Sequence, residues 1–183
     1  VEGDAVVLER AGERLEVTLD RPHVRNALNT TMRDQLVEAF RLVALDDSIS
    51  EVHLRGAGQS FCAGGDLDEF GSFPDPAVAH LVRLQQSAGR AIAAVADRTT
   101  AHLHGSCAGS GIELPAFAGT VVARRDTRIT LPEVALGLIP GAGGTVSLPR
   151  RIGRHRTARL ALTGEAIDAH TAMAWGLVDA IEG

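Results

Sequence analysis

Two glutamates stand where a carboxylate needs a reason. Glu113 lies among Ile112, Leu114, Pro115, Ala116 and Phe117, while Glu133, twenty residues later, follows Pro132 and precedes the apolar run Val134 to Ile139. Desolvation raises a carboxyl pKa towards neutrality and a second carboxylate nearby raises it further, which is the condition for moving protons near physiological pH. Two such acids suggest an acid/base pair. A buried ion pair with Arg124, Arg125 or Arg128, or a capping role, is the bland reading of the same residues, and spacing alone does not choose between them.

Two glycine-rich loops, Gly56 to Gly65 and His104 to Gly111, each follow a strand-like run. Peptide N–H groups exposed at such turns can point at a negative oxygen. Glycines also serve tight turns and close packing, so either loop alone is weak evidence.

The elements that must carry these residues follow from periodicity. Ala5 to Leu8 and Leu15 to Leu19 read as strands joined at Ala11-Gly12, a hairpin signal, and the chain then breaks at Arg21-Pro22. From Thr30 or Thr31, Met32, Leu36, Val37, Phe40 and Val43 recur at helical steps, which predicts a helix to about Asp46 capped by a threonine. Glu51 to Arg55, Thr99 to Leu103, Thr120 to Ala123 and Leu177 to Ile181 read as strands. Helices are expected at about Ala77 to Ala96, opened by Pro74 and Pro76, near Ile112 to Phe117, and at Val146 to Arg151 and Arg154 to Leu162. Leu131 to Gly144 is rich in turns, and Asp168 and Gly176 are the expected cap and stop of a last helix. Strands alternating with helices, with no linker or repeat, point to one α/β domain over residues 1–183.

Composition narrows the function classes. The chain is 45% hydrophobic and 22% charged with a formal net charge of −5, and its 18 basic residues are all Arg, so nucleic acid is not an expected partner. Cys62 and Cys107 lack metal-ligand spacing, which leaves a disulfide framework and a zinc site without support. The acidic start, Val1 to Asp4, and the absence of a long apolar run give no sign of a leader or membrane span; a cytoplasmic location is expected. Of three short Arg clusters, the one at Arg154, Arg156 and Arg159 is a candidate for a phosphate-bearing ligand; solvated or ion-paired faces are the ordinary reading.

Taken together, five segments resemble the crotonase superfamily, the enoyl-CoA hydratase and isomerase family. They are RPHVRNAL at Arg21 to Leu28, SFCAGGDL at Ser60 to Leu67, HGSCAGSGIEL at His104 to Leu114, LPEVALGLIPGAGGTVSLPRRIG at Leu131 to Gly153, and LTGEAIDAHTAMAWGLVD at Leu162 to Asp179. The resemblance implies a crotonase-type α/β spiral of ββα units (ClpP/crotonase-like) and an acyl-CoA substrate. It makes the amides of Ala63 and Ser110 the oxyanion hole for the thioester oxygen. Glu113 and Glu133 fall on the two acids of the family's hydratases: Glu113 would help take the proton from water attacking C3, Glu133 would deliver a proton to C2, and the Gly141 amide would help position the water. Coenzyme A enters as part of the substrate, and no metal or other cofactor is implied. Arg21 and Arg25 are candidates for its phosphates, with the backbone of Ala63 and Gly64 along the pantetheine and Asp66 and Leu67 beside the adenine. A homo-oligomer, trimer or hexamer, is the family's assembly.

Departures from the pattern keep other readings open. Ser110 replaces the usual glycine, where its side chain could crowd the acyl group, and Gly119 and Leu131 replace an acid and a polar residue near Glu133. The family's C-terminal helices do not follow Ile181, which bears on acyl-chain length and assembly. Hydration is the leading expectation; double-bond isomerisation, thioester hydrolysis or other enolate chemistry, and non-catalytic acyl-CoA binding are the alternatives.

Overall fold

A computed structural model describes residues 3–69 and 85–183. Its larger sheet has the strand order β1-β2-β3-β4-β6-β9, formed by β1 (Val6–Ala11), β2 (Arg14–Leu19), β3 (Glu51–Gly56), β4 (Thr99–Leu103), β6 (Thr120–Arg124) and β9 (Ala180–Glu182). Only the β1–β2 hairpin in it is antiparallel. A smaller sheet, β5-β7-β8, holds β5 (Ser106–Ala108), β7 (Arg128–Thr130) and β8 (Ile167–Asp168). The helices are α1 (Thr30–Leu45), α2 (Ala88–Ala94), α3 (Ser110–Glu113), α4 (Gly144–Thr163) and α5 (Ala169–Trp175).

The spiral is visible in the order of these elements. β4, β5 and α3 make one ββα turn, and β6, β7 and α4 make the next. The first strands pair in the large sheet and the second strands pair in the small one, each in parallel. Successive turns therefore stack in register, and the corners after β5 and β7 fall side by side. Those corners carry Glu113 and Glu133.

Alternation in the strands sets the core. Val52 and Leu54, then Ala101 and Leu103, then Val121 and Ala123 are all buried, and their alternates His53, Thr100, His102 and Val122 occupy the other face. Met32, Leu36, Val37, Phe40 and Val43 of α1 fill the same core at the helical spacing read from the sequence. Among the described residues no helix is long and apolar enough to cross a membrane.

Several expectations need correction. The cap of α1 is Asn29, whose side chain accepts the Met32 N–H at 2.9 Å, and Thr30 instead donates its N–H and hydroxyl to Glu69. The glycine stretch after β4 is not all loop: Ser106–Ala108 is β5, recruited by pairing with β7, a strand too short to show a period. The start of the helix expected at Ala77 lies outside the described residues; near its end a new helix begins at Ala88, capped by Ser87, and gives way to a 3-10 turn at Ala96–Arg98. α4 is broken at Gly153, whose φ of 75° and ψ of 161° separate the two helices the sequence suggests.

Asn26 joins the first two motif loops. It is fully buried with φ 56°, a left-handed conformation that asparagine tolerates better than most residues. Its Oδ1 accepts from the Arg21 N–H at 2.9 Å, and its Nδ2 donates to the carbonyls of Ala57, Ser60 and Phe61 at 2.8, 2.9 and 3.1 Å. Asn26→Ala strands these buried groups and is expected to lower the unfolding free energy by about 2–4 kcal/mol in urea titration. A loss below about 1 kcal/mol would mean that the loops are held by other contacts.

Candidate active site

Glu113 ends α3 with its residue 2% exposed. One carboxylate oxygen accepts the N–H groups of Ala142 and Gly144, both at 2.8 Å. Gly144 opens α4, where an N–H has no partner within the helix and the dipole favours a negative charge, and Ala142 lies in the turn just before it. Burial opposes these bonds, and with the charge of Glu133 added it lifts the Glu113 carboxyl to about 7. The turn can approach this closely because residue 144 is glycine: a Cβ there would lie 2.6 Å from Glu113 Cγ.

Glu133 sits in the 3-10 turn Pro132–Leu136 and is partly buried. Its Oε2 is buried without a hydrogen-bond partner. Burial raises its pKa, and hydrogen bonding from its own backbone N–H, then with the Glu113 carboxyl, partly offsets the rise. The other oxygen occupies the space a side chain would need at Gly109, which has φ 48°, so that position admits no Cβ without displacing the acid. The two carboxyls thus converge. Neither forms an ion pair among the described residues; Arg124 pairs with Asp126, Arg125 is exposed, and Arg128 turns to the Thr127 carbonyl.

The amide donors differ from expectation at one position. The Ala63 N–H is already engaged, donating to the Arg25 carbonyl at 3.0 Å. Cys62 N–H points to the opposite side, to Ser106 O, and Gly64, with φ 109°, then breaks the alternation. Leu28 receives the Asp66 N–H and donates to Gly64 O, so in this parallel bridge the Gly65 N–H faces away from Leu28. It has no main-chain acceptor among the described residues. Ser110 opens α3, where an N–H has no partner within the helix. Gly65 and Ser110 thus offer main-chain donors on neighbouring loops, which a parallel β-bridge between the backbones of Cys62 and Cys107, both free thiols, holds alongside each other. The sequence signal for Gly65 was the second glycine of GGDL: the first supplies the flip and the second the exposed amide. Ser110 does not turn its hydroxyl outward; it is buried with Oγ 3.8 Å from Cys62 Sγ. Gly141 is exposed, just before the amides that hold Glu113, and its own N–H has no main-chain acceptor among the described residues.

The residues expected to meet coenzyme A fall into two groups. The Arg21 guanidinium is nine-tenths buried and bonds the Ala27 carbonyl at 2.7 Å and Asp66 at 2.9 Å. Arg21 and Asp66 therefore clasp the RPHVRNAL segment to the GGDL loop and do not offer their charges to a ligand. Arg25, on an exposed left-handed turn, and the largely exposed Leu67 stay accessible, whereas Gly64 is buried against the Ala108 carbonyl. In the third Arg cluster, Arg156 and Arg159 both lie 5.6 Å from the Trp175 ring, and Arg159 pairs with Glu165. Among the described residues no group of three His, Cys, Asp or Glu side chains is placed to hold a metal ion.

Comparison with known proteins places the chain in a family and a fold. The family model for enoyl-CoA hydratase/isomerase matches residues 10–182. The chain is 37% identical over 173 residues to the 2,3-dehydroadipyl-CoA hydratase of Escherichia coli (strain K12), covering 94% of this chain and 67% of that protein. It is 36% identical over 169 residues to the 1,2-epoxyphenylacetyl-CoA isomerase of the same organism, covering 90% and 64%. A crystal structure of enoyl-CoA hydratase from Thermoplasma volcanium GSS1 superposes with a TM-score of 0.89 at 35% identity, over 98% of this chain and 72% of that one. The chain spans about two thirds of the length of these two curated relatives. By its sequence and its fold, the chain belongs to the enoyl-CoA hydratase/isomerase family of the crotonase superfamily.

Proposed function

We propose that this chain carries the site for reversible addition of water across the 2,3 double bond of a 2-enoyl-CoA thioester. The observation that supports it is the convergence of two carboxyls that burial raises together. Glu113, lifted to about 7, faces two N–H donors that keep its ionised form within reach, and Glu133 beside it has a buried oxygen without a hydrogen-bond partner. Two raised carboxyls side by side are suited to pass protons as an acid/base pair.

In the forward reaction the Gly65 and Ser110 amides receive the thioester oxygen and stabilise the charge that builds there, which makes C3 electrophilic. Water attacks C3 while Glu113 takes its proton. The electron pair of the double bond moves towards the thioester, and Glu133 returns a proton to C2. The exposed Gly141 amide lies on the same loop as the donors to Glu113 and is suited to orient the water. The protein requires no resident cofactor for these steps; coenzyme A arrives on the substrate.

A second reading has its own support, because the two E. coli relatives have nearly equal identity and are named for different reactions. Two acids beside an enolate can also carry a proton from one carbon to another. Incubation with crotonyl-CoA separates these readings: hydration bleaches the conjugated enoyl absorbance without releasing thiol. Either Glu113→Gln or Glu133→Gln should lower kcat by about 10²–10⁴-fold with the fold retained. Double-bond migration without a 3-hydroxyacyl product supports isomerisation instead, and thiol release excludes hydration as the main reaction.

Glu113 also links activity to pH and to stability. As the base it must be ionised, so kcat/KM should rise with pH through about 7. The folded protein retains a proton that the unfolded chain loses near the ordinary value of 4.5, so stability falls as pH rises from 4.5 to about 7. Glu113→Gln removes this penalty and should stabilise the protein by roughly 2–3 kcal/mol at pH 8, with little difference near pH 4.5. Equal unfolding free energies for the two proteins at pH 8 would contradict the burial of an ionisable Glu113.

A further inference from the structure

Glu113 is gripped at both ends by the start of α4 and the turn that leads into it. Its carboxylate takes the Ala142 and Gly144 amides, and its main-chain carbonyl accepts the Ser147 hydroxyl at 2.8 Å. The second contact answers a local deficit. In a continuing helix the Glu113 carbonyl would accept from residue 117, but Phe117 N–H donates to Leu114 O and Ala118 N–H to Pro115 O. Pro115 has no N–H of its own. α3 therefore ends with an orphan carbonyl on the residue whose side chain faces Glu133, and Ser147 supplies the donor.

Ser147 is rigidly placed for this. It is 1% exposed, and its own N–H donates to Gly143 O at 3.0 Å, fixing it in the first turn of α4. One helical turn further on, Arg151 donates to the carbonyls of Ala116, Ala118 and Gly119 and pairs with Asp179 at 3.0 Å. The same helix face thus follows the chain from residue 113 to residue 119 and catches the carbonyls left over by its short, proline-interrupted helix.

We infer that Ser147 is a positioning residue, whose hydroxyl locks the Glu113 backbone to the turn that supplies the carboxylate's two amide donors. The side chain then has little freedom: its main-chain end and its charged end are referred to the same rigid turn. Loss of the hydroxyl lets the segment slide against α4 and lengthens both amide contacts, which disfavours the ionised carboxylate. Its consequence for turnover rests on the proposed role of Glu113 as base, whereas its consequence for titration does not.

The test uses the full chain with 13C-labelled glutamate, in wild type, Ser147→Ala and Ser147→Thr, with Glu113→Gln to assign the resonance. In Ser147→Ala the Glu113 titration should move up by at least about half a unit, and the Ala142 and Gly144 amides should exchange about tenfold faster. Turnover of crotonyl-CoA at pH 7 should fall about tenfold in kcat with KM within about twofold, because alignment and not binding is lost. Ser147→Thr, which keeps the hydroxyl, should stay near wild type in all three. An unchanged Glu113 titration with both amides still protected overturns the inference, even if the melting temperature drops, and so does a threonine variant as impaired as the alanine one. If Ser147→Ala does not fold, Ser147→Cys, isosteric with a weaker donor, is read by the same titration. Wild-type protein inactive towards crotonyl-CoA would count against the proposed function, while titration and exchange would still decide the role of Ser147.

Discussion

A carboxylate almost entirely withdrawn from water is the constraint around which this structure is organised. Left alone at that depth, the Glu113 side chain would simply remain protonated. The N-terminal turn of α4 supplies charge-assisted hydrogen bonds that keep ionisation within reach, and burial keeps it from becoming easy. The resulting balance near neutrality needs two chain segments about thirty residues apart to meet within hydrogen-bonding distance. Much of the surrounding architecture serves that meeting: glycine at position 144, and Arg151 fastening α4 to the segment beyond α3.

The stacked ββα turns explain why the two acids meet at all. β5 and β7 lie side by side, so the residues after each strand are brought to the same edge of the small sheet. Glu113 comes one turn of helix after Gly109 at the first corner, and Glu133 comes shortly after β7 at the second. Gly109 is the point of closest approach, since the space its side chain would need is taken by Glu133. The first glycine loop arrives from the other direction, joined to the second through the main-chain β-bridge at Cys62 and Cys107 and to the RPHVRNAL segment through Asn26 and the Arg21–Asp66 pair.

Strong periodicities in the sequence were enough to read α1, the hairpin and the buried strands of the large sheet. The caps at Asp168 and Gly176 were equally legible, because each depends on a local hydrogen bond or a left-handed residue. The pairing of Glu113 with Glu133 could be anticipated from acids in apolar runs, though their meeting required the spiral. What escaped the sequence was set by distant partners. β5 and β7, of three residues each, exist only because they pair. The Ala63 amide is claimed by Arg25, and a flip at Gly64 passes the free donor to Gly65; the glycine pair permits that flip, but only the backbone conformation shows it. Arg21 likewise reads as a surface cation until its depth and its pairing with Asp66 are seen.

Hydration at this site requires a thioester oxygen to be held by the amides of Gly65 and Ser110 while Glu113 and Glu133 flank the carbons that gain hydroxyl and proton. A crystal structure with a bound 3-hydroxyacyl-CoA or an unreactive enoyl-CoA analogue tests this most directly. The expected result places the oxygen about 3 Å from both amide nitrogens, Glu113 beside C3 and Glu133 beside C2. An oxygen seated elsewhere, or an acyl chain that leaves either carboxyl out of reach of C2 and C3, would contradict it.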